Sequence, residues 1–452
     1  MFWSLLIQLS RIISNLLPVL VVARQLGPAY LGLNAIPLIA FNLAIEIVDQ
    51  TATTTIIHEW KSYKVIRKYA WALATLLLAT ILILNSIYSE NIILRLSAVY
   101  ALSLFVSVPN LLLRPIWSLN GRLSTIALRN FVSPLIATVF LVLILYSKLD
   151  FYALPAFYLI VSVSDYALIQ YFYKKDGWML LLRSARISKG STDKRQVSSS
   201  LVFTILRFLA MRFDQILYSS RMPIVELGFY AQASRLYNAS SGLLIRPVSI
   251  VQTALYVQNK NRENKNTTNN EPVYLSFALI SFSSIIIILF SEQAVLLTLG
   301  KEWKEVGRIF WMHYLAAFPT AFLFLTGNHL LLTGNGLLRI ALVVIRFFTL
   351  IMLWHAFKVS EYETATSIFI SRECLVSLFI ILFIFFSRKK INSQPILTTA
   401  FLLISTTPLI ALYTQIDLTR FRIFIIILLI TALVVASIKS KDFLLESLKK
   451  TQ

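Results

Sequence analysis

Apolar runs of about 20 residues recur along most of this chain, and each is long enough to cross a bilayer as an α-helix. That recurrence leaves few folds. Lipid offers no hydrogen-bond partners, so open sheets with unpaired edges are excluded. Strands of a closed barrel alternate apolar and polar residues, and these runs do not. The chain is therefore read as an all-α polytopic membrane protein. Composition agrees, since 57% of its 452 residues are hydrophobic and only 14% are charged. The expected spans are 3–23, 31–56, 69–88, 92–113, 125–146, 151–173, 201–220, 229–257, 273–299, 308–333, 337–357, 364–386, 395–413 and 421–438, about fourteen transmembrane helices. The first run contains Gln8, Arg11, Asn15 and Pro18 and has no basic leader before it, so it is read as a span and not as a signal peptide.

Lys and Arg outnumber Asp and Glu 42 to 21, a net charge of +21. On a soluble chain this excess points to nucleic acid. Here the positive-inside rule accounts for it, and no nucleic-acid partner is expected. Basic residues crowd one set of loops: Lys61 to Lys68, Arg114 to Arg129, Lys174 to Arg195, Lys260 to Lys265, Arg388 to Lys390, and the tail. The opposite set is poorer. The basic set is therefore expected on the cytoplasmic side, with both termini inside. The two longest hydrophilic stretches, 174–200 and 259–272, fall on that side, and no large outside loop exists.

An internal repeat runs at an offset of 196, matching Arg11 to Arg207, Leu31-Gly32 to Leu227-Gly228 and Ala35 to Ala231. It superposes the first two spans on the seventh and eighth. Six spans return the chain to the same side, so the halves are parallel repeats about a pseudo-two-fold axis along the membrane normal. The expected organisation is a six-helix lobe over 1–173, a basic cytoplasmic linker over 174–200, and a second six-helix lobe over 201–390. A terminal helix pair and tail follow over 391–452. "LGPAYLGL" (26–33) reads as a helix stop at Gly-Pro, with the second glycine permitting tight re-entry into the next span.

Polar residues line single faces of four spans. Ser4, Gln8, Arg11, Asn15 and Pro18 share one face of the first, and Asn42, Glu46, Asp49 and Thr53 one face of the second. Arg207, Asp214, Tyr218 and Arg221 align on the seventh, with Arg212 to the side, and Arg235, Gly242 and Arg246 on the eighth. A charge at the bilayer centre costs about 2.5–3.5 kcal/mol on insertion scales, so these need partners or water. For Arg221 and Arg235 snorkelling at span ends competes with that reading; for Arg114, Arg122 and Arg129 snorkelling is the better one. The deeper Arg11, Arg207, Arg212 and Arg246 are expected to line a wet cavity that takes an anion, because guanidinium forks onto phosphate. Glu46, Asp49 and Asp214 either neutralise these arginines or carry a coupling H+ or Na+. His313, His329, His355 and Cys374 read as packing or lining. No metal-ligand spacing, Walker A motif or paired outside carboxylates suggest a cofactor or catalytic residues.

With these residues in view, "ARQLGPAYLG" (23–32) and "RFDQILYSSRMPIVELGFYAQASRLYN" (212–238) give the chain a resemblance to a known family. It resembles the polysaccharide-transporter branch of the multidrug/oligosaccharidyl-lipid/polysaccharide exporter superfamily, and within it the bacterial O-antigen and related repeat-unit flippases. The resemblance implies two lobes in a V around a central cavity that opens alternately inward and outward in the bacterial inner membrane. It implies an undecaprenyl-pyrophosphate-linked oligosaccharide as substrate, with Arg11, Asn15, Arg207, Arg212 and Arg246 as contacts and Glu46 and Asp49 as coupling residues. Polymerase and chain-length proteins are the implied partners, and a monomer is expected. Two alternatives stand beside the flippase. A membrane polymerase or glycosyltransferase fits poorly with short outside loops. A cation or drug antiporter fits poorly with an excess of basic residues in the first, seventh and eighth spans.

Overall fold

A computed structural model describes residues 2–58, 63–88, 91–119, 123–147, 149–176, 194–261, 271–332, 336–357 and 359–386. The expected spans 395–413 and 421–438, the tail, and residues 177–193 of the linker lie outside them. Among the described residues the chain is all helical. The helices are α1 (Phe2–His58), α2 (Tyr63–Ile87), α3 (Ile92–Leu119), α4 (Leu123–Leu145), α5 (Ala153–Asp176), α6 (Lys194–Tyr218), α7 (Ile224–Asn261), α8 (Glu271–Thr298), α9 (Lys304–Tyr314), α10 (Ala317–Leu332), α11 (Gly336–Ala356) and α12 (Tyr362–Phe386). Seven of these are long and apolar enough to cross a membrane, or eight if the bent pair α9–α10 is one span. Helices α6 and α7, which carry polar stripes, and α12 are not among them. The chain is a multi-pass membrane protein.

Two compact units divide the chain, Met1–Ser219 and Ser220–Gln452. The boundary falls after the seventh span, whereas the sequence reading placed it at the linker 174–200. Helix α6 packs on α1 and is grouped with the first unit.

In the first unit, α1 holds the first two expected spans. Gly27 breaks it, with φ 75° and ψ −179°, a conformation closed to residues with a Cβ. Pro28 then opens the second segment, where its missing N–H costs nothing. Gly32, expected to help the turn, is instead helical and buried. Its echo is faithful: α7 begins at Ile224, 196 residues after Pro28. The repeat-matched Leu31, Ala35, Leu227 and Ala231 are all buried helical positions. Around the second segment of α1 pack α3, α4 and α5. Tyr30 and Asn34 anchor that packing. The Leu154 amide at the start of α5 donates to the Tyr30 hydroxyl at 3.0 Å, and the Tyr100 hydroxyl of α3 donates to Asn34 Oδ1 at 3.1 Å.

In the second unit, α9 packs between α7 and α8. Gly307 of α9 lies so close to α8 that a Cβ there would sit 2.7 Å from Glu292 Cα. The expected span 308–333 is bent by 51° between α9 and α10. Pro319, in the first turn of α10, cannot donate an amide back to Leu315, so the helix stops and restarts. Trp311, Tyr314, Phe318, Tyr237 and Phe369 fill the core between these helices.

Candidate functional site

The residues singled out by sequence reach the structure unevenly. Arg11 and Asn15 lie on α1, Arg207 on α6 and Arg246 on α7, but their side chains lie outside the described part. Glu46 and Asp49 are half-buried on the second segment of α1, and Arg212 is half-buried on α6. Asp214 is 3% exposed, and its Oδ1 accepts the Gln215 amide at 2.9 Å. Because α1 and α6 pack together, the polar stripes of the first, second and seventh spans belong to one unit.

Two buried charge clusters escaped the sequence reading. In the first unit, Arg129 of α4 reaches Asp165 of α5, with Nε 3.8 Å from Oδ1. Ser133 donates its hydroxyl to the same oxygen. Arg129 was expected to snorkel at a span end. It is instead 5% exposed, and its charge is neutralised by a carboxylate from the next helix. Its Nη2 donates to Asn130 Oδ1 at 3.0 Å.

In the second unit, Glu373 of α12 lies between two arginines. Arg346 of α11 donates from Nε at 2.9 Å and from Nη2 at 2.6 Å to Oε1. Arg372 donates from Nε to the same oxygen at 2.9 Å, with its Nη2 at 2.7 Å. The other oxygen, Oε2, receives only a long contact from Thr320 at 3.4 Å. Arg372 and Glu373 are wholly buried, while Arg346 keeps 13% of its side chain accessible. Two guanidinium groups thus converge on one carboxylate oxygen.

The signal for both clusters was present in the sequence. Asp165 lies 11 residues after Leu154, whose amide Tyr30 accepts, and Glu373 lies 11 residues after Tyr362. The Tyr362 amide in turn donates to Glu226 Oε2 at 3.2 Å, and position 226 is 196 residues after Tyr30. The repeat-matched positions 30 and 226 thus tie down the starts of α5 and α12. Eleven residues are about 16 Å of helix, so the two acids lie at the same depth along their helices.

The histidines take packing roles where they are described. His313 is fully buried and stacks on Phe369 with ring centroids 4.7 Å apart. The Ile309 carbonyl only accepts, so Nδ1 carries the proton at 2.9 Å and Nε2 accepts from Ser234 at 3.2 Å. Cys374 is buried beside them. Arg221 lies with its guanidinium 3.9 Å from the Trp354 ring centre, an exposed cation on an aromatic face. Near the start of α12, Tyr362 donates to Glu305 at 2.7 Å and Arg308 pairs with Glu363 at 3.0 Å. Among the described residues no cluster of His, Cys, Asp and Glu is arranged to hold a metal.

The family described as polysaccharide biosynthesis protein matches residues 21–308, well over half the chain. The chain belongs to that family. No curated protein matches it in sequence. Among solved structures, it is similar to lipid II flippase MurJ in an inward closed conformation, with a TM-score of 0.62 at 15% identity. That likeness covers 98% of this chain and 99% of the other, and at such identity it is one of fold. The resemblance read from 23–32 and 212–238 therefore holds: this polysaccharide biosynthesis protein has the fold of the exporter superfamily that its motifs suggested.

Proposed function

We propose that this protein flips undecaprenyl-pyrophosphate-linked oligosaccharide repeat units across the bacterial inner membrane by alternating access, supplying surface polysaccharide such as O-antigen. The observation that carries the reading is the flippase fold over almost the whole length of a polysaccharide biosynthesis chain. The chemistry is transport, and no covalent bond changes. Lobes formed by the two six-span repeats rock about a fixed site, and the substrate shifts their equilibrium only through its different affinity for the two states. Arg11, Asn15, Arg207, Arg212 and Arg246 meet the diphosphate and first sugars. Glu46, Asp49 and Asp214 serve as counter-ions or carry a coupling H+ or Na+. Both termini face the cytoplasm, the protein acts as a monomer, and polymerase and chain-length proteins take over its product outside.

The test is the fate of lipid-linked repeat units in cells lacking the protein. They are expected to accumulate on the inner leaflet while surface polysaccharide disappears. Alanine replacement of Arg11, Arg207 and Arg246 together is expected to reproduce that defect; normal export by the triple variant would sink the cationic-site assignment.

A further inference from the structure

Four buried polar atoms of α3 and α4 reach no hydrogen-bond partner: Asn110 Oδ1, Arg129 Nε and Nη1, and Asn130 Nδ2. Arg129 is 5% exposed, and of its nitrogens only Nη2 is bonded, to Asn130 Oδ1. These atoms belong to one polar group. The Asn110 amide reaches the Ser162 carbonyl of α5 at 3.5 Å, and Ser162 lies about one helical turn before Asp165. Asp165 Oδ1 stands 3.8 Å from Arg129 Nε, farther than a hydrogen bond spans. Ser133 donates to that same oxygen, so Oδ2 is left to accept, and the Asp165 side chain keeps 18% of its surface.

Buried polar groups in folded proteins are almost always bonded, to protein or to ordered water. The character of these atoms defines what completes them. An anion would face the Asp165 carboxylate and the Asn110 oxygen. A metal cation would face the Arg129 guanidinium. The idle atoms include both donors and acceptors, so a neutral molecule that donates and accepts satisfies them together. Water is the smallest that does so. We infer that α3, α4 and α5 bind ordered water, which bridges Arg129 to Asp165 and takes the unmet bonds of Asn110 and Asn130. A polar contact longer than 3.5 Å is the separation at which such a bridge operates. The second unit differs, since Arg346 reaches Glu373 directly at 2.6 Å. The ion pair of the first unit is therefore separated by solvent, and that of the second is a direct contact.

The test is water-edited solid-state NMR on the full isotope-labelled chain in lipid bilayers. Magnetisation is passed from water protons and its build-up followed at each side chain. Arg129 is identified by the guanidinium resonance that Arg129→Lys removes, or by sequential assignment from Leu128 should that variant not fold. The exposed Arg221 is the wet reference, and the methyls of the buried Leu104 and Leu141 are the dry one. The Arg129 guanidinium is expected to build up at a rate close to that of Arg221. Build-up as slow as that of the two leucines, in folded wild-type protein, overturns the inference. Asn110→Leu fills the site from α3 and is expected to slow the build-up at Arg129 several-fold. An unchanged rate in a folded Asn110→Leu variant also overturns it, because the water then lies elsewhere. So does dephasing of the Arg129 nitrogens by phosphorus on addition of inorganic phosphate, which would put an anion in the place of the water.

Discussion

The two units solve one problem in two ways. Each ties the start of one helix, α5 or α12, to the same repeat position, Tyr30 under the Leu154 amide and Glu226 under the Tyr362 amide. Each then places an acid 11 residues further on, half-buried in the first unit and wholly buried in the second, and pairs it with an arginine from the preceding helix. In the first unit the pair is neutral, at 3.8 Å, and a serine completes the acid's contacts. In the second the acid is gripped by two arginines at 2.6–2.9 Å. Position 164, which corresponds to Arg372 at the offset of 208 linking Asp165 to Glu373, is a serine.

Four substitutions break or sharpen this comparison. The largest effect is expected from Glu373→Gln, which leaves two buried guanidinium groups without their carboxylate. A loss of about 3–5 kcal/mol of stability follows, read as a large fall in the thermal unfolding midpoint of the purified protein. Ser133→Ala removes a hydroxyl donor from the Asp165 carboxylate in the first unit. It is expected to cost about 1.5–3 kcal/mol by the same measurement, the usual range for a hydrogen bond to a charged group. Tyr30→Phe leaves the Leu154 amide without its acceptor and is expected to cost about 1 kcal/mol, with faster hydrogen exchange confined to the start of α5. Glu226→Gln keeps a carbonyl acceptor for the Tyr362 amide, so its cost is expected to stay within about 0.5 kcal/mol. An equal response to Glu373→Gln and Ser133→Ala would erase the difference between the units.

Much of the fold was legible in the sequence because lipid constrains it so strongly. Apolar runs located the described helices, and Gly27-Pro28 marked the break within α1. The offset of 196 relates Pro28 to Ile224 at the start of α7, although the turn expected at Leu31-Gly32 and Leu227-Gly228 is helical in both places. The polar faces of the first, second and seventh spans fell on the packed helices α1 and α6. What stayed hidden were partners supplied by different helices. Arg129 and Asp165 stand apart on different helices, as do Arg346 and Glu373, so neither pair forms a stripe on one helix. A lone arginine near a span end reads as snorkelling until its partner is placed beside it. The offset is 196 at Pro28 and Ile224 but 208 at Asp165 and Glu373, which hides the match of the two acids. The bend between α9 and α10 was likewise masked, because Pro319 sits inside an otherwise continuous apolar run.

The account turns on whether the protein moves a lipid-linked diphosphate between leaflets. The direct measurement reconstitutes the full chain in vesicles with a fluorescent polyprenyl-diphosphate oligosaccharide and follows the fraction accessible to an enzyme added outside. Wild-type protein is predicted to bring nearly all of the lipid within reach of the enzyme, and the Arg11, Arg207 and Arg246 triple-alanine variant to leave the inner-leaflet half protected. Protection of that half in vesicles carrying folded wild-type protein would contradict the account.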